Sequence, residues 1–395
     1  MRLPGDLGQL TYCLNIHPTQ TMAEVMAALT GPVAAVKQAI SPDAPFAVGL
    51  RFSGEALAEL DDPAQRIALK DALDRHDFRA ITVNGFPYGR FHGARIKEEV
   101  YQPDWRHEER VRYTNALADL MAGIAPAGET VSLSTVPGTF KLLGAGGDAL
   151  MAGNLRRCVA HMTALRARTG VTVALAIEPE PACFLETIAE TVAFFRDHLF
   201  APEAAARLAE LTGLTQPQAA EALPRHLGLC YDVCHAAVAF EGPAKSLAAL
   251  RDANIPVHKL QLSAALRIAR VGPAERAALA AFDEPTYLHQ VIRRGSQGIQ
   301  GTTDLPEALA LGKRADGEEW RVHFHVPVFI DDLGAFGSTR DFLAEILALH
   351  RADPISPHLE IETYTWDVLP EGLRGATVDD DITREMRWVL DRLLS

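Results

Sequence analysis

Eight short β-rich runs alternating with longer amphipathic stretches constrain this chain more than any other feature, because that rhythm builds parallel βαβ units. The expected strands are Leu10–His17, Phe46–Ser53, Ala80–Phe86, Val131–Val136, Val171–Glu178, Leu227–Asp232, Val257–Ser263 and Leu359–Thr363. Helical stretches at Arg110–Ala122, Leu150–Arg168, Ile188–Leu199 and Thr339–Leu349 fall between them. Eight such units close into an α/β fold of the (β/α)₈ barrel type, expected as one domain over residues 1–395. Two regions break the rhythm. Residues 202–225 read as extra helices in a lengthened crossover. Residues 271–330 read as a long insertion between the seventh and eighth strands, ending in a further strand-like run at Val322–Phe329.

A barrel with insertions accounts for 395 residues, of which 48% are hydrophobic. The net charge of −13 speaks against nucleic acid or an anionic membrane as the main partner, since both need a basic face. A small-molecule metabolite is the expected partner, with self-association left open. No run of about 18 apolar residues suggests a membrane span. No basic segment followed by an apolar one suggests a secretory signal. Five cysteines without a C-x-x-C pair read as reduced thiols of a cytoplasmic protein.

Strand parity locates the chemistry. Alternate residues of a barrel strand face the interior. One parity is small or polar and grows more polar toward the strand's C-terminal end: Cys13, Asn15 and His17 in the first strand, Glu178 closing the fifth, Asp232 closing the sixth, Lys259 and Gln261 in the seventh, Glu360 and Glu362 in the eighth. The opposite parity is bulky and apolar, as suits the layer under the helices. Polar groups converging on the strands' C-terminal mouth describe an active site. Glu178, Asp232 and Glu362 brought together would repel one another unless a cation neutralises them, so a divalent metal of the Mn, Mg, Co, Fe or Zn type is expected there. His17, His235 and His325 stand near the same rim and are candidates to complete its shell. His323 shares the parity of His325, and either can equally be a structural histidine. Glu180 reads as a rim group or one supporting the ligands from behind, because Pro179 and Pro181 break the strand around it. The Pro87–His92 segment has the glycine and aromatic content of a loop covering a substrate, or of a plain turn.

The segments Leu-Thr-Tyr-Cys-Leu-Asn-Ile-His at 10–17, Ala-Ile-Glu-Pro-Glu-Pro at 176–181, Cys-Tyr-Asp-Val-Cys-His-Ala at 230–236, His-Lys-Leu-Gln-Leu-Ser at 258–263 and Glu-Thr-Tyr-Thr-Trp at 362–366 give the chain a family likeness. It resembles the xylose isomerase-like TIM barrels, the superfamily of sugar-phosphate isomerases and epimerases. More narrowly it resembles the EboE metabolite traffic proteins. The resemblance implies a metal held by a Glu, an Asp, a His and a Glu from successive strands. It also implies a substrate-contacting histidine three residues after the Asp and an arginine beyond the seventh strand. Those roles fall on Glu178, Asp232 and Glu362 for the metal, and on His235 and Arg267 for substrate. The family's histidine ligand aligns with Gln261. That departure leaves three options: a harder cation taking the Gln261 carbonyl, His325 in its place, or a site without metal.

The expected activity is isomerisation or epimerisation of a polyhydroxylated carbonyl compound through an enediolate. Glu178 and Glu362 would move the proton, and Asn15, His17, His235, Lys259 and Arg267 would position substrate. The alternative is a barrel that binds or hands on a metabolite without turning it over. A phosphodiesterase of the endonuclease IV type would need a richer histidine–carboxylate cluster and a basic surface, neither of which the sequence displays.

Overall fold

The computed structural model describes residues 1–144, 146–369 and 371–395. Strands β1 to β7 are Gln9–Tyr12, Phe46–Arg51, Phe78–Asn84, Thr130–Thr135, Thr172–Ile177, Leu227–Asp232 and Val257–Leu262. After an insertion carrying five further strands comes the last barrel strand, β13, at His358–Ile361. All eight barrel strands run parallel in the order β1-β13-β7-β6-β5-β4-β3-β2. The ring closes between β1 and β2 through one Cys13–Gly49 bridge and the Thr11 hydroxyl, which donates to the Ala47 carbonyl at 2.8 Å. Gly49 is required at this seam, because a Cβ there would overlap the Glu360 carboxylate.

The alternation read from the sequence is the one the barrel uses. Leu50, Val83, Leu133, Leu175, Leu229, Leu260 and Ile361 lie in the main apolar cluster beneath the helices. At roughly 1.5–3 kcal/mol for each large apolar side chain buried, this layer contributes most of the drive to fold. On the other parity, Gly49, Ser134, Ala174 and Ala176 are small, which leaves room inside the barrel for Lys259 and Glu360. These two form an ion pair with neither side chain exposed.

The helices match their expected positions: Glu108–Ile124, Asp148–Thr169, Ile188–Phe194 and Arg340–Ala352, with Pro202–Thr212 and Gln216–His226 filling the lengthened crossover. No helix among the described residues is long and apolar enough to cross a membrane.

Two boundaries differ in ways that matter. The first strand stops at Tyr12, and Leu14–Ile16 form a tight turn instead of continuing to His17. The insertion begins earlier than expected, directly after Ser263. It builds an antiparallel sheet from β8 Ala265–Ile268, β9 Val291–Gly295, β10 Gly298–Thr302, β11 Glu319–His325 and β12 Gly337–Ser338, ordered β10-β9-β11-β8-β12. In β11, Trp320, Val322 and Phe324 are fully buried in the apolar cluster, and Phe324 packs edge-on to Phe282 at 5.1 Å. The alternate residues His323 and His325 therefore point the other way, toward the barrel mouth. The pairing of β11 with β8 shifts register between Val322 and His325. Such a bulge bends a strand and re-aims its side chains.

Candidate metal centre

Glu178 follows β5 directly, Asp232 ends β6, and Glu362 follows β13. Backbone bonds extend the ladder just far enough to fix them, from Glu178 N to the Thr135 carbonyl at 3.0 Å and from Glu362 N to the Leu262 carbonyl at 3.1 Å. The three carboxylates are buried, and each places an oxygen within 4.8 Å of the other two. Each is also oriented by donors. Asp232 caps the helix Val233–Val238: its Oδ1 accepts from His235 N at 3.0 Å and from Ser263 Oγ at 2.8 Å. Glu362 Oε1 accepts from Asn15 Nδ2 at 2.5 Å and Asn84 Nδ2 at 3.0 Å. The Gln261 amide nitrogen donates to Glu362 Oε2 and reaches Glu178 Oε1 at 3.4 Å.

Two oxygens remain. Glu178 Oε2 and Asp232 Oδ2 are buried with no hydrogen-bond partner. An unpartnered buried acceptor is costly, and like charges around it add to that cost. Burial, followed by the Glu362 and Asp232 charges, pushes the Glu178 carboxyl well above the ordinary range. A divalent cation among these oxygens removes both penalties, and the all-oxygen set suits a hard one. The residues fit.

Beside the acids lies a nitrogen cluster richer than the sequence suggested. His235 and His325 lie within 4.8 Å of Asp232, and His323 groups with Glu180 and His235 over the same range. Glu180, read as a rim group, is buried and held by Tyr101 Oη at 2.6 Å and Gln290 Nε2 at 3.0 Å. Burial is the main reason its carboxyl is raised. Burial also lowers His323 and His325, followed by His235 for the first and opposed by Asp232 for the second.

A cavity with about 60 Å³ of space open to water-sized groups, several times what one water needs, opens over the acids. Asn15, Asn84, Glu178, Glu180, His235, His323 and Glu362 line its polar side. Phe91, Tyr287 and Tyr364 form its aromatic side, with ring centroids 5.1–5.3 Å apart. Phe91 comes from the 87–92 segment, and Tyr287 from the insertion. That segment is pinned by Arg51, a fully buried guanidinium that donates to the carbonyls of Thr19, Pro87 and Gly89.

The structure separates the expected substrate set. Asn15 and His235 reach the cavity wall. His17 is buried beside Tyr12, whose hydroxyl lies 3.1 Å from its Nε2, and burial lowers it to about 4. Lys259 lies below the site, paired with Glu360 and donating to Ser134 Oγ at 3.0 Å. Arg267, on β8, pairs with Glu319 at 3.0 Å and Asp341 at 3.2 Å. Gln261 turns its amide nitrogen to the carboxylates while its carbonyl faces Cys230 Sγ at 3.6 Å, an orientation assigned from its partners. Asn84, His323, Gln290 and Tyr101 went unassigned from sequence. For Asn84 and His323 the inward parity was the available signal. Gln290 and Tyr101 carry none.

No protein-family profile and no curated protein matches this chain. Among solved structures, one described as IOLI protein with a binding zinc atom is 12% identical over 98% of each chain, with a TM-score of 0.46. A xylose isomerase-like TIM barrel protein from Mycobacterium smegmatis in complex with magnesium is 11% identical over 97% of this chain and 98% of that one, TM-score 0.45. D-Psicose 3-epimerase with D-tagatose from Clostridium cellulolyticum H10 is 10% identical over 98% of each, TM-score 0.44. At these identities and TM-scores the likeness assigns no residue a role.

Proposed function

We propose that the protein is a metal-dependent isomerase or epimerase of a small polyhydroxylated carbonyl compound, acting through an enediolate. The observation that carries this reading is the pair Glu178 and Glu362, buried carboxylates from different strands that wall one cavity. Oxygens of Glu178, Asp232 and Glu362 would hold a divalent cation, which supplies positive charge where a substrate oxygen becomes anionic. Glu178, whose Oε2 has no hydrogen-bond partner and whose side chain lines the cavity, is suited to take a proton from a carbon next to a carbonyl. Glu362, held by Asn15, Asn84 and Gln261, keeps a fixed orientation from which to handle the proton on its return. Asn15 is the amide placed to meet a substrate hydroxyl, and the Phe91–Tyr287–Tyr364 wall keeps bulk water from the reacting carbon.

The test is solvent exchange. Mn²⁺-loaded protein is incubated in D₂O with a panel of aldoses and ketoses, free and phosphorylated, and read by proton NMR. Wild type should incorporate deuterium at the carbon beside the carbonyl, and Glu178→Gln should slow this by about 10²–10⁴-fold. Cation-loaded protein that exchanges no sugar in the panel sinks the reading.

The Gln261 orientation favours a second one. An amide donor between two carboxylates relieves repulsion where the resembled family places an imidazole ligand. That second reading is a metabolite-binding or traffic role of the EboE kind. Under that role Glu178→Gln weakens ligand binding and there is no turnover to lose.

A further inference from the structure

Among the described residues that line the cavity over the acids, Lys97 is the only Lys or Arg, and its charge is already matched. Lys97 is buried, and its Nζ donates to Asp304 Oδ2 at 2.6 Å and to the Glu284 carbonyl at 3.3 Å. Both partners belong to the insertion, Glu284 ahead of β9 and Asp304 just past β10. Ile96 N and Lys97 N donate to the Thr286 carbonyl at 2.8 and 2.9 Å. These bonds hold Lys97 at a φ of 41°, a left-handed value that residues with a side chain adopt at a cost. Asp304 is fixed as firmly. Its Oδ1 accepts from His289 N at 2.9 Å and Leu305 N at 3.0 Å, which leaves Oδ2 for the ammonium.

Arg51, Lys259 and Arg267 are no freer. The first is committed to backbone carbonyls, the second to Glu360 beneath the site, the third to Glu319 and Asp341. The histidines on the wall, His235 and His323, keep Nδ1 on the Pro179 carbonyl and on Gln290 Oε1, and turn their Nε2 atoms to each other at 3.1 Å. Phe86, Ile96, Val100 and Leu288 add only apolar surface. Against this stand Glu178, Asp232 and Glu362, whose three formal charges outnumber the two of any divalent cation they hold, with buried Glu180 beside them. A phosphate or carboxylate on the substrate would enter an acidic space with no cation to meet it, and a buried charge without a partner is costly.

We propose that the site takes an uncharged hydroxy-carbonyl compound and excludes phosphorylated or carboxylated ones, and that Asp304 of the insertion sets this choice by cancelling Lys97. The inference rests on the reading of the cavity as the place where a small metabolite binds. It narrows that reading to compounds without a charged group. It also gives the insertion a part in specificity, since a wrong ligand is rejected by denying its charge a partner.

The probes are two hydroxamates of equal size, whose paired oxygens suit a divalent cation: the monohydroxamate of malonic acid, which keeps one carboxylate, and the same molecule with that carboxylate replaced by an amide. Calorimetric titration of Mn²⁺-loaded protein reads both affinities. Wild type should bind the amide at least tenfold more tightly than the acid. Asp304→Asn keeps an oxygen for the His289 and Leu305 amides, frees Lys97, and should shrink that ratio at least fivefold. Lys97→Met, made separately, leaves Asp304 uncancelled and should widen it, and the double variant should lose what Asp304→Asn gained. Wild type that binds the acid as tightly as the amide, or binds neither, overturns the proposal. So does a ratio that Asp304→Asn leaves unchanged or that Lys97→Met narrows. Protein that ranks the probes as expected yet exchanges no sugar keeps this inference and loses the isomerase. Protein that exchanges sugars but does not rank the probes does the reverse.

Discussion

Lys259 offers a quantitative test of what the barrel interior does with charge. It pairs with Glu360 at 0% exposure on both sides. Burial opposes the ammonium, yet Glu360 and the other acids around it raise it above its usual range, while burial raises Glu360. Replacing Lys259 with Met leaves a buried carboxylate alone, a loss of about 3–5 kcal/mol when one partner of such a pair is removed. Unfolding entropy of about 2.1 cal/mol/K per residue, taken over 395 residues, is about 0.8 kcal/mol/K, so Tm should fall by roughly 4–6 °C. The double variant Lys259→Met with Glu360→Met removes both charges and should recover to within about 2 °C of wild type, because an apolar pair of similar volume often replaces a buried ion pair at little cost. Differential scanning calorimetry at pH 7 measures wild type, Lys259→Met, Glu360→Met and the double variant. A single variant within about 1 °C of wild type, or a double variant no better than the worse single, refutes the coupling. Metal content unchanged in Lys259→Met separates this structural role from the substrate contact its sequence position suggested.

Glu385, fully buried on the helix Val378–Leu394, is pushed up to about 8 by burial, against the donors Thr363 Oγ1 and Val328 N. Its folded value exceeds the unfolded one, so the stability it permits is complete below pH about 4.5 and drains away as pH rises to about 8. Glu385→Gln should therefore gain on wild type across that window by up to about 5 kcal/mol, and a Tm gap that does not widen between pH 5 and 8 counters this. Arg51→Met strands the Thr19, Pro87 and Gly89 carbonyls. Faster amide exchange in residues 86–92 is the expected readout, and unchanged protection there would show that the guanidinium does not hold the segment. Arg267→Gln should leave bound metal unchanged by elemental analysis, since its partners are Glu319 and Asp341, and a loss of metal would place it at the centre after all.

The eight strands and the meeting of Glu178, Asp232 and Glu362 were legible because a period of two, read with a single polar residue at each strand's end, needs no knowledge of neighbours. The turn at Leu14–Ile16 was not: Leu14 and Ile16 flank Asn15 with the alternation of a strand, and no Gly or Pro marks the break after Tyr12. The histidine cluster was half visible. Parity put His323 and His325 on one side of a strand, but which surface that side faces depends on β11 pairing with β8 and β9. The burial of Glu180 was hidden for the same reason. Pro179 and Pro181 do end the strand, yet Tyr101 and Gln290, far away in sequence, turn its carboxylate inward. Gln261 shows the remaining gap. Its place was readable, whereas which end of its amide meets the acids depends on Cys230 and Glu362.

The ring seam carries a temporal implication. β1 is emitted early in synthesis but finds its full hydrogen-bonded neighbour only in β13, while its contact with β2 is a lone bridge. A nascent chain can stack β2 through β7 as an open sheet, and the cylinder locks when the final strand slots in. Glu362 rides on that closing strand. Until it arrives, the acidic trio has two members, so ion capture by that trio reports completion of the fold: a chain stalled before residue 362 can be largely structured and still lack the Glu178–Asp232–Glu362 site.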